Sequence, residues 1–319
     1  MSQESGNPND SLRLAIIDYI TSNPSSTLRD IFEGIPASHT KVRHWLAQLT
    51  ISSTITPSAP IRTVPLQSIT WSTAGGGGFA PTDIADLAVW LDANKGITLN
   101  GSDVSAWADQ SGNGHDFVQA SATEQPLYEA AGLNSKPSVD FDGTEYLAAA
   151  DSTDFDSDEY TFVMVVNIET IVADGAIYSN RVTGAAGTVA GFVAGEYGQA
   201  SPDRYKNNGI DDGAGNYRYN LSDIDEPTVA TPMILSQTMD NTDYFAYENN
   251  VQISASSWDS TNGTVGTVDS TSAMHLGGRA NPTRFYRGFL SELLQYNRVL
   301  TSGELLSLDT YLKAKWSIS

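Results

Sequence analysis

The long polar segment at residues 195–220 carries the side chains best suited to hold a ligand. Proteins bind sugars by packing an aromatic face on C–H groups while amide, carboxylate and guanidinium groups hydrogen-bond the hydroxyls. This segment and one further loop supply that combination in Tyr197, Arg204, Tyr205, Asn207, Asp211, Asp212, Tyr217, Arg218, Tyr219 and Trp258. We therefore predict carbohydrate binding here. The alternatives are an ordinary surface loop or a loop packed against a neighbouring subunit.

Side chains for covalent or metal chemistry are scarce. The chain has no cysteine and 4 histidines, which excludes thiolate zinc sites, cysteine nucleophiles and disulfide scaffolds. No Gly-x-Ser-x-Gly sequence is present, and the glycine run at 75–78 lacks the lysine of a phosphate-binding loop. Asp154, Asp156 and Asp158 begin like an EF-hand calcium loop, but Glu159 occupies the position where that loop needs glycine. The sequence predicts no catalytic residue.

Charge and composition narrow the class of protein. With 40% hydrophobic residues the chain can build packed cores, and 319 residues suffice for about two domains. The formal net charge is −21, from 17 basic and 38 acidic residues. Such a surface repels phosphate backbones and anionic lipid, so neither nucleic acid nor a membrane is an expected partner. The first ten residues are polar and lack the apolar stretch of a secretion signal.

A change in composition at a glycine-rich stretch divides the chain. Residues 1–71 carry balanced charge, and the acidic excess lies after them. We predict a small helical domain at 1–71, a linker at 72–82 and a large domain at 83–319. In the small domain, apolar spacing and capping residues predict three short helices between residues 11 and 49, followed by a hairpin within 51–71.

This order of helices and hairpin resembles a winged helix. The resemblance implies that the third helix, bearing Lys41, Arg43 and His44, reads DNA. A neutral domain tethered to a strongly acidic one is a poor phosphate binder. We therefore favour a docking or oligomerisation module and keep DNA binding as the alternative.

Short β-prone runs separated by glycine, asparagine and aspartate fill the large domain, which is the pattern of an all-β sandwich. In the run at 160–166, Phe162, Met164 and Val166 share one face and Val163 and Val165 the other, so this strand is expected at the centre of a sheet. A capping box at Thr301 and Glu304 predicts a C-terminal helix that packs on the sandwich. The apolar stripe of that helix is Leu305, Leu308 and Leu312.

Five motifs in order carry a resemblance to a known family: WLDA at 90–93, WADQSGNGHD at 107–116, PSVDFDG at 137–143, LGGR at 276–279 and GFLSELLQYNR at 288–298. Together they resemble the laminin-G-like, concanavalin A-type lectin/glucanase jelly roll over about residues 83–318. The resemblance implies a two-sheet jelly-roll sandwich, a fold that hosts lectins, adhesion modules, enzymes and structural domains. Most motif residues are interpreted as turn formers, with Asp109 accepting hydrogen bonds from backbone N–H groups.

The resemblance also suggests two kinds of site. Glucanases of this superfamily carry their catalytic acids in a Glu-x-Asp-x-x-Glu pattern on one strand; the pattern is missing here, so we do not expect an enzyme. Lectin relatives bind calcium through loop carboxylates, and the cofactor prediction is therefore none, with Ca²⁺ as the open alternative. Its candidate ligands are Asp211, Asp212, Asp223, Asp225 and Glu226.

The resulting hypothesis is a non-enzymatic structural protein of a virus particle, of the head-decoration or tail-fibre type in a bacteriophage. The architecture resembles phage virion proteins that display laminin-G-like domains. Residues 1–71 attach to other virion proteins in this hypothesis, while the lectin-like domain projects outward and binds glycans. We expect a homo-oligomer, located in the virion or outside cells. The alternative is a secreted or surface carbohydrate-binding adhesin of a bacterium, and a glycoside hydrolase ranks third.

Overall fold

The computed structural model describes residues 79–170, 175–181, 190–195, 208–220, 229–253, 260–279 and 285–319, with short pieces at 16, 26–27, 55–57 and 70–73. Contacts divide the chain into two units. One comprises residues 1–80 with 301–307, and the other residues 81–300 with 308–319. The predicted boundaries at 71 and 83 remain predictions.

The first unit contains a small antiparallel sheet of β1 (Ser26–Thr27), β2 (Ile55–Pro57) and β3 (Thr70–Thr73). Its strand order is β1, β3, β2. The strands β2 and β3 pair antiparallel, as the predicted hairpin requires, but β3 extends beyond residue 71 to Thr73. The basic residues of the third predicted helix lie outside the described residues, so the winged helix and its DNA-binding alternative remain predictions.

The large unit is built from short strands. They are β4 (Leu87–Asp92), β5 (Ile97–Asn100), β6 (Asp103–Trp107), β7 (Phe117–Val118), β8 (Leu127–Leu133), β9 (Lys136–Asp142), β10 (Leu147–Ala149), β11 (Tyr160–Ile168), β12 (Tyr178–Ser179), β13 (Gly191–Ala194), β14 (Asn208–Asp211), β15 (Tyr217–Asn220), β16 (Met233–Met239), β17 (Tyr244–Glu248), β18 (Val251–Gln252), β19 (Ser260–Asn262), β20 (Met274–Leu276) and β21 (Arg287–Tyr296). All pairings among these strands are antiparallel.

Pairing arranges the strands in two layers. One layer has the strand order β18, β17, β16, β11, β21. On the other side of β21, β4 and β9 pair with different parts of that strand, and β8 pairs with β9. The other runs β5, β6, β7, β10, β20, β12, β13, β14, β15 and β19. A single residue pair, Asp103 with Leu127, joins β6 to β8 and so connects the layers.

The core lies between the layers and is rich in aromatic rings. Phe162 on β11 lies 4.7 Å from Phe192 on β13 and 5.8 Å from Tyr178 on β12, measured between ring centroids. The strand β11 pairs with β16 on one side and β21 on the other, and both of its faces are buried. Its predicted central position is therefore confirmed, because a strand apolar on both faces must be covered twice.

The C-terminal helix spans Ser302–Trp316. Its predicted capping box is present: the Thr301 backbone N–H donates to Glu304 Oε2 at 2.8 Å, and the Glu304 N–H donates to Thr301 Oγ1 at 3.3 Å. Leu308, Leu312 and Trp316 on this helix are fully buried. The predicted mainly β sandwich with a C-terminal helix is thus confirmed for the large unit.

Candidate functional site

The motif at 107–116 closes a turn through one carboxylate. Asp109 Oδ1 accepts hydrogen bonds from the backbone N–H groups of Trp90 and Ser111, each at 2.9 Å. Its Oδ2 accepts from Ser111 Oγ at 2.6 Å and from the His115 N–H at 3.2 Å. His115 in turn contacts Asp154 through Nε2 at 2.8 Å. The predicted structural role of Asp109 is confirmed, and the motif fastens the turn to strand β4.

Two predicted sugar ligands, Asp211 and Asp212, contact protein atoms. Asp211 is fully buried and lies 3.4 Å from Nη2 of Arg181. Asp212 accepts hydrogen bonds from the backbone N–H groups of Ala214 and Asn216, and it accepts a third from the Asn216 side chain at 2.7 Å. Burial opposes the charged form of Asp212, but these hydrogen bonds favour it. The net effect is a pKa of Asp212 below its usual value. Both carboxylates therefore stabilise the β14–β15 turn.

Arg218 of the same predicted set ties β15 to neighbouring segments. Its Nε donates to the Asn241 carbonyl at 2.8 Å, and its Nη1 donates to the Tyr217 and Asn262 carbonyls at 2.9 and 3.1 Å. The side chain is 8% exposed. Tyr217 is half-buried at the start of β15. Tyr219 is described only through the backbone of that strand.

The remaining predicted sugar ligands lie outside the described residues. They are Tyr197, Arg204, Tyr205, Asn207 and Trp258. Carbohydrate binding by the 195–220 segment therefore remains a prediction. The calcium ligands suggested at Asp223, Asp225 and Glu226 also lie outside the described residues. Within the described ranges, no group of three or more histidine, aspartate or glutamate side chains is placed to hold a metal ion.

Two carboxylates that the sequence analysis did not single out face each other across paired strands. Asp92 on β4 and Glu292 on β21 are register partners, and both are 1% exposed or less. Lys315 lies between them, with Nζ 2.8 Å from Asp92 Oδ2 and 2.7 Å from Glu292 Oε2. The Trp90 indole donates to Glu292 Oε1 at 2.7 Å, and the Trp316 indole donates to Glu292 Oε2. This group is named the Lys315 cluster.

In the Lys315 cluster, one ammonium is paired with two buried carboxylates. Burial raises the pKa of Glu292 even though Lys315 and the Trp316 indole favour its charged form. Burial opposes the charge on Lys315, but Glu292 and Asp92 raise the pKa of that ammonium. The ammonium also lies 5.8 Å from the Trp90 ring and 5.1 Å from the Trp316 ring, measured to the centroids. Each carboxylate thus has one oxygen within 2.8 Å of the Lys315 ammonium.

A second group of acids lies on and after β9. Burial, followed by neighbouring negative charges, raises the pKa of Asp140 to about 6. Burial also raises the pKa of Glu145 to about 7. Glu145 Oε2 accepts from the Asp142 N–H at 2.6 Å, and Asp142 Oδ1 accepts from the Thr144 hydroxyl at 2.8 Å. Asp142 and Glu145 thus close their own turn, while Asp140 is the acid here with an unpartnered buried oxygen.

A surface cleft of about 250 Å³ lies beside the loop that joins β4 to β5. Its walls include the exposed residues Asn94 and Lys95, the exposed Leu99 and the half-buried Tyr128. Residues that carry an amide, an ammonium and an aromatic ring therefore line one opening. None of these residues belongs to the predicted 195–220 segment. The signal that could have found them is the Asp92-to-Gly96 sequence, which is typical of a tight loop directly after a strand.

Hydrogen bonds hold the wall of this cleft. Asp92 Oδ1 accepts from the Asn94 backbone N–H at 3.0 Å and from Asn94 Nδ2 at 3.1 Å, while the Lys95 N–H donates to the Asp92 carbonyl at 2.8 Å. Gly96 has φ +72°, and a Cβ there would lie 2.9 Å from the Ala108 Cβ. The loop needs glycine at this position. The same Asp92 carboxylate therefore joins the cleft to the Lys315 cluster.

Comparison with known proteins gives structural similarity alone. No protein-family model matches the chain, and no curated protein sequence matches it. Domain 4 of an extracellular arabinanase from Geobacillus stearothermophilus, solved with arabinotriose, has TM-score 0.48 and 15% identity, over 70% of this chain and 98% of that one. Trypanosoma rangeli sialidase in complex with sialic acid has TM-score 0.48 and 16% identity, and the match covers 87% of this chain and 38% of the sialidase.

The binding domain of botulinum neurotoxin serotype G has TM-score 0.48 and 12% identity, over 73% of this chain and 54% of that one. This chain therefore spans well under two thirds of the sialidase and of the toxin domain. All three TM-scores are below 0.5. No helix within the described residues has the length and apolar character to cross a bilayer.

Proposed function

We propose that this chain is a non-enzymatic, carbohydrate-binding structural protein of a virus particle. In this proposal residues 1–71 attach to other particle proteins, and the β-sandwich faces outward and holds glycans, in a homo-oligomer. The protein is then located in the virion or, once particles are released, outside cells. Head decoration and tail fibre are the two positions in the particle that fit such a protein.

The ion pairs of the Lys315 cluster support the non-enzymatic part of the proposal. Retaining glycosidases need two carboxyl groups about 5–5.5 Å apart with a sugar between them, one able to donate a proton and the other to attack. Asp92 and Glu292 are register partners on adjacent strands, but both already contact Lys315, and Glu292 also accepts hydrogen bonds from two indoles. Neither acid is therefore placed to act on a sugar in this proposal. The pair fastens the C-terminal helix to the sheet.

The cleft beside the β4–β5 loop supports the carbohydrate-binding part. Its ring, amide and ammonium are the groups that hold sugars in water, since a ring covers C–H faces while polar groups exchange hydrogen bonds with hydroxyls. The surface charge also argues for an extracellular display role, because a net charge of −21 keeps the protein soluble and away from anionic polymers.

Mass spectrometry of gradient-purified particles tests the virion part of the proposal. Peptides of this chain at a stoichiometry comparable to that of a known coat protein support it, and their absence from particles contradicts it. A bacterial surface adhesin is the alternative, and it predicts the opposite distribution: the chain in the envelope or culture medium of cells that release no particles.

A further inference from the structure

We propose that the cleft beside the β4–β5 loop binds one uncharged sugar ring, stacked on Tyr128 and hydrogen-bonded by Asn94 and Lys95. The inference rests on the proposed carbohydrate-binding function and names the site and the class of sugar. It differs from the sequence-based prediction, which places binding in the 195–220 segment.

The first argument is size and shape. The cleft volume of about 250 Å³ is slightly below the ~300–1,000 Å³ of pockets that take drug-sized ligands. A single ring with its hydroxyls suits such a space, whereas a long aliphatic chain or a dinucleotide does not. Leu99, which is 46% exposed, and Tyr128 give the cleft apolar surface for the C–H face of that ring.

The second argument is that its polar groups are already positioned. Asn94 is fixed by its two bonds to Asp92 Oδ1, which leaves the side-chain Oδ1 of Asn94 to accept from a hydroxyl. Lys95 lines the cleft, and its Nζ lies 5.2 Å from the Trp90 ring centroid and 4.0 Å from Asp92 Oδ2, so these two partners restrict where the ammonium can go. Groups ordered before binding lose less conformational entropy when the ligand arrives.

The third argument is charge, and it selects the class of sugar. Lys95 lines the cleft, and its ammonium lies 4.0 Å from Asp92, which pairs with Lys315, which in turn pairs with Glu292. This linked group holds two negative and two positive charges, so its charges balance. A chain with a net charge of −21 repels uronic acid and sulfated polymers at long range. A locally neutral cleft offers no excess positive charge to offset that repulsion. The geometry therefore favours a neutral sugar over an acidic one.

The test is titration of the full chain with neutral hexasaccharides of glucose, mannose and galactose, and with the galacturonate hexasaccharide, followed by saturation-transfer NMR and calorimetry. Tyr128→Ala removes the stacking surface and is expected to weaken binding of the neutral ligand about tenfold. Tyr128→Phe keeps the ring and is expected to stay within about threefold of the unmodified chain. Tyr217→Ala, in the predicted segment, is the matched control and is expected to bind normally.

The outcomes separate the inference from the function on which it rests. Unchanged neutral-sugar affinity in Tyr128→Ala, with loss in Tyr217→Ala, overturns the cleft and keeps the carbohydrate-binding proposal. Tighter binding of galacturonate than of any neutral ligand overturns the choice of sugar class. Failure of the unmodified chain to bind any of the four ligands overturns both. If Tyr128→Ala does not fold, Lys95→Met at the exposed wall replaces it, with a loss of about threefold or more expected.

Discussion

Removing the charge of Lys315 should destabilise the sandwich strongly. The ammonium contacts two carboxylates at 2.8 and 2.7 Å, and its side chain is 18% exposed. Substitution of one member of a buried ion pair costs about 3–5 kcal/mol, because the partner charge stays buried without compensation. Lys315→Met keeps the aliphatic stem against the indoles, so the loss reports the charge. We expect about 3 kcal/mol, at the low end because the site is partly solvated.

Lys95→Met is the matched control. Its ammonium lies 4.0 Å from the same Asp92 oxygen, but the side chain is 57% exposed. Exposed pairs contribute about 0–1 kcal/mol. Urea unfolding followed by tryptophan fluorescence measures both variants, with Trp90 and Trp316 reporting directly on the Lys315 cluster.

The cost of Lys315→Met should also depend on pH. Burial raises the pKa of Glu292 in the folded chain, and loss of Lys315 raises it further. The folded state of Lys315→Met then binds more protons than its unfolded state, so the free energy of unfolding of this variant rises as pH falls from 8 to 5. The deficit of Lys315→Met relative to the unmodified chain should therefore be smaller at pH 5 than at pH 8. A deficit no larger than that of Lys95→Met, or one independent of pH, refutes the reasoning.

Three further predictions concern other parts of the sandwich. Asp109→Ala loses four hydrogen bonds and should cost about 2 kcal/mol in urea unfolding. Asp116→Ala, which loses the hydrogen bond from the Asp109 backbone N–H, is the control, and equal stability of the two variants would contradict the role of Asp109. Burial raises the pKa of Asp140 to about 6, so this carboxyl ionises less readily in the folded chain than in the unfolded chain. The free energy of unfolding should therefore fall as pH rises from about 4 to 7. Asp140→Asn should reduce this pH dependence, and an unchanged pH dependence would show that another group causes it. Thr301→Ala removes the helix cap and should cost about 1 kcal/mol in thermal unfolding, whereas no change would show that water replaces the cap.

Local sequence patterns predicted the elements whose causes are local. The two-sided apolar run at 160–166 implied a central strand, and the Thr301–Glu304 box implied a capped helix; both follow from residues a few positions apart. The motif at 107–116 likewise implied a turn with Asp109 as acceptor. These features need no knowledge of distant partners.

The Lys315 cluster could not be predicted in that way. Asp92 and Glu292 become neighbours only when β4 pairs with β21, and a one-residue change of register would separate their side chains to opposite faces. The helix must then place Lys315 over that pair. Conversely, Asp211 and Arg218 had the composition of sugar ligands, but composition does not show that backbone groups and a buried arginine engage them.

The most direct test of the central claim is whether bound sugar survives contact with the protein. In one NMR experiment, neutral hexasaccharides are held with the purified full chain at pH 5 and pH 7, and the anomeric signals of new reducing ends are followed over a day. The account predicts ligand binding with no new reducing ends at either pH. New reducing ends that disappear in Asp140→Asn or Glu145→Gln would contradict it and identify a hydrolase.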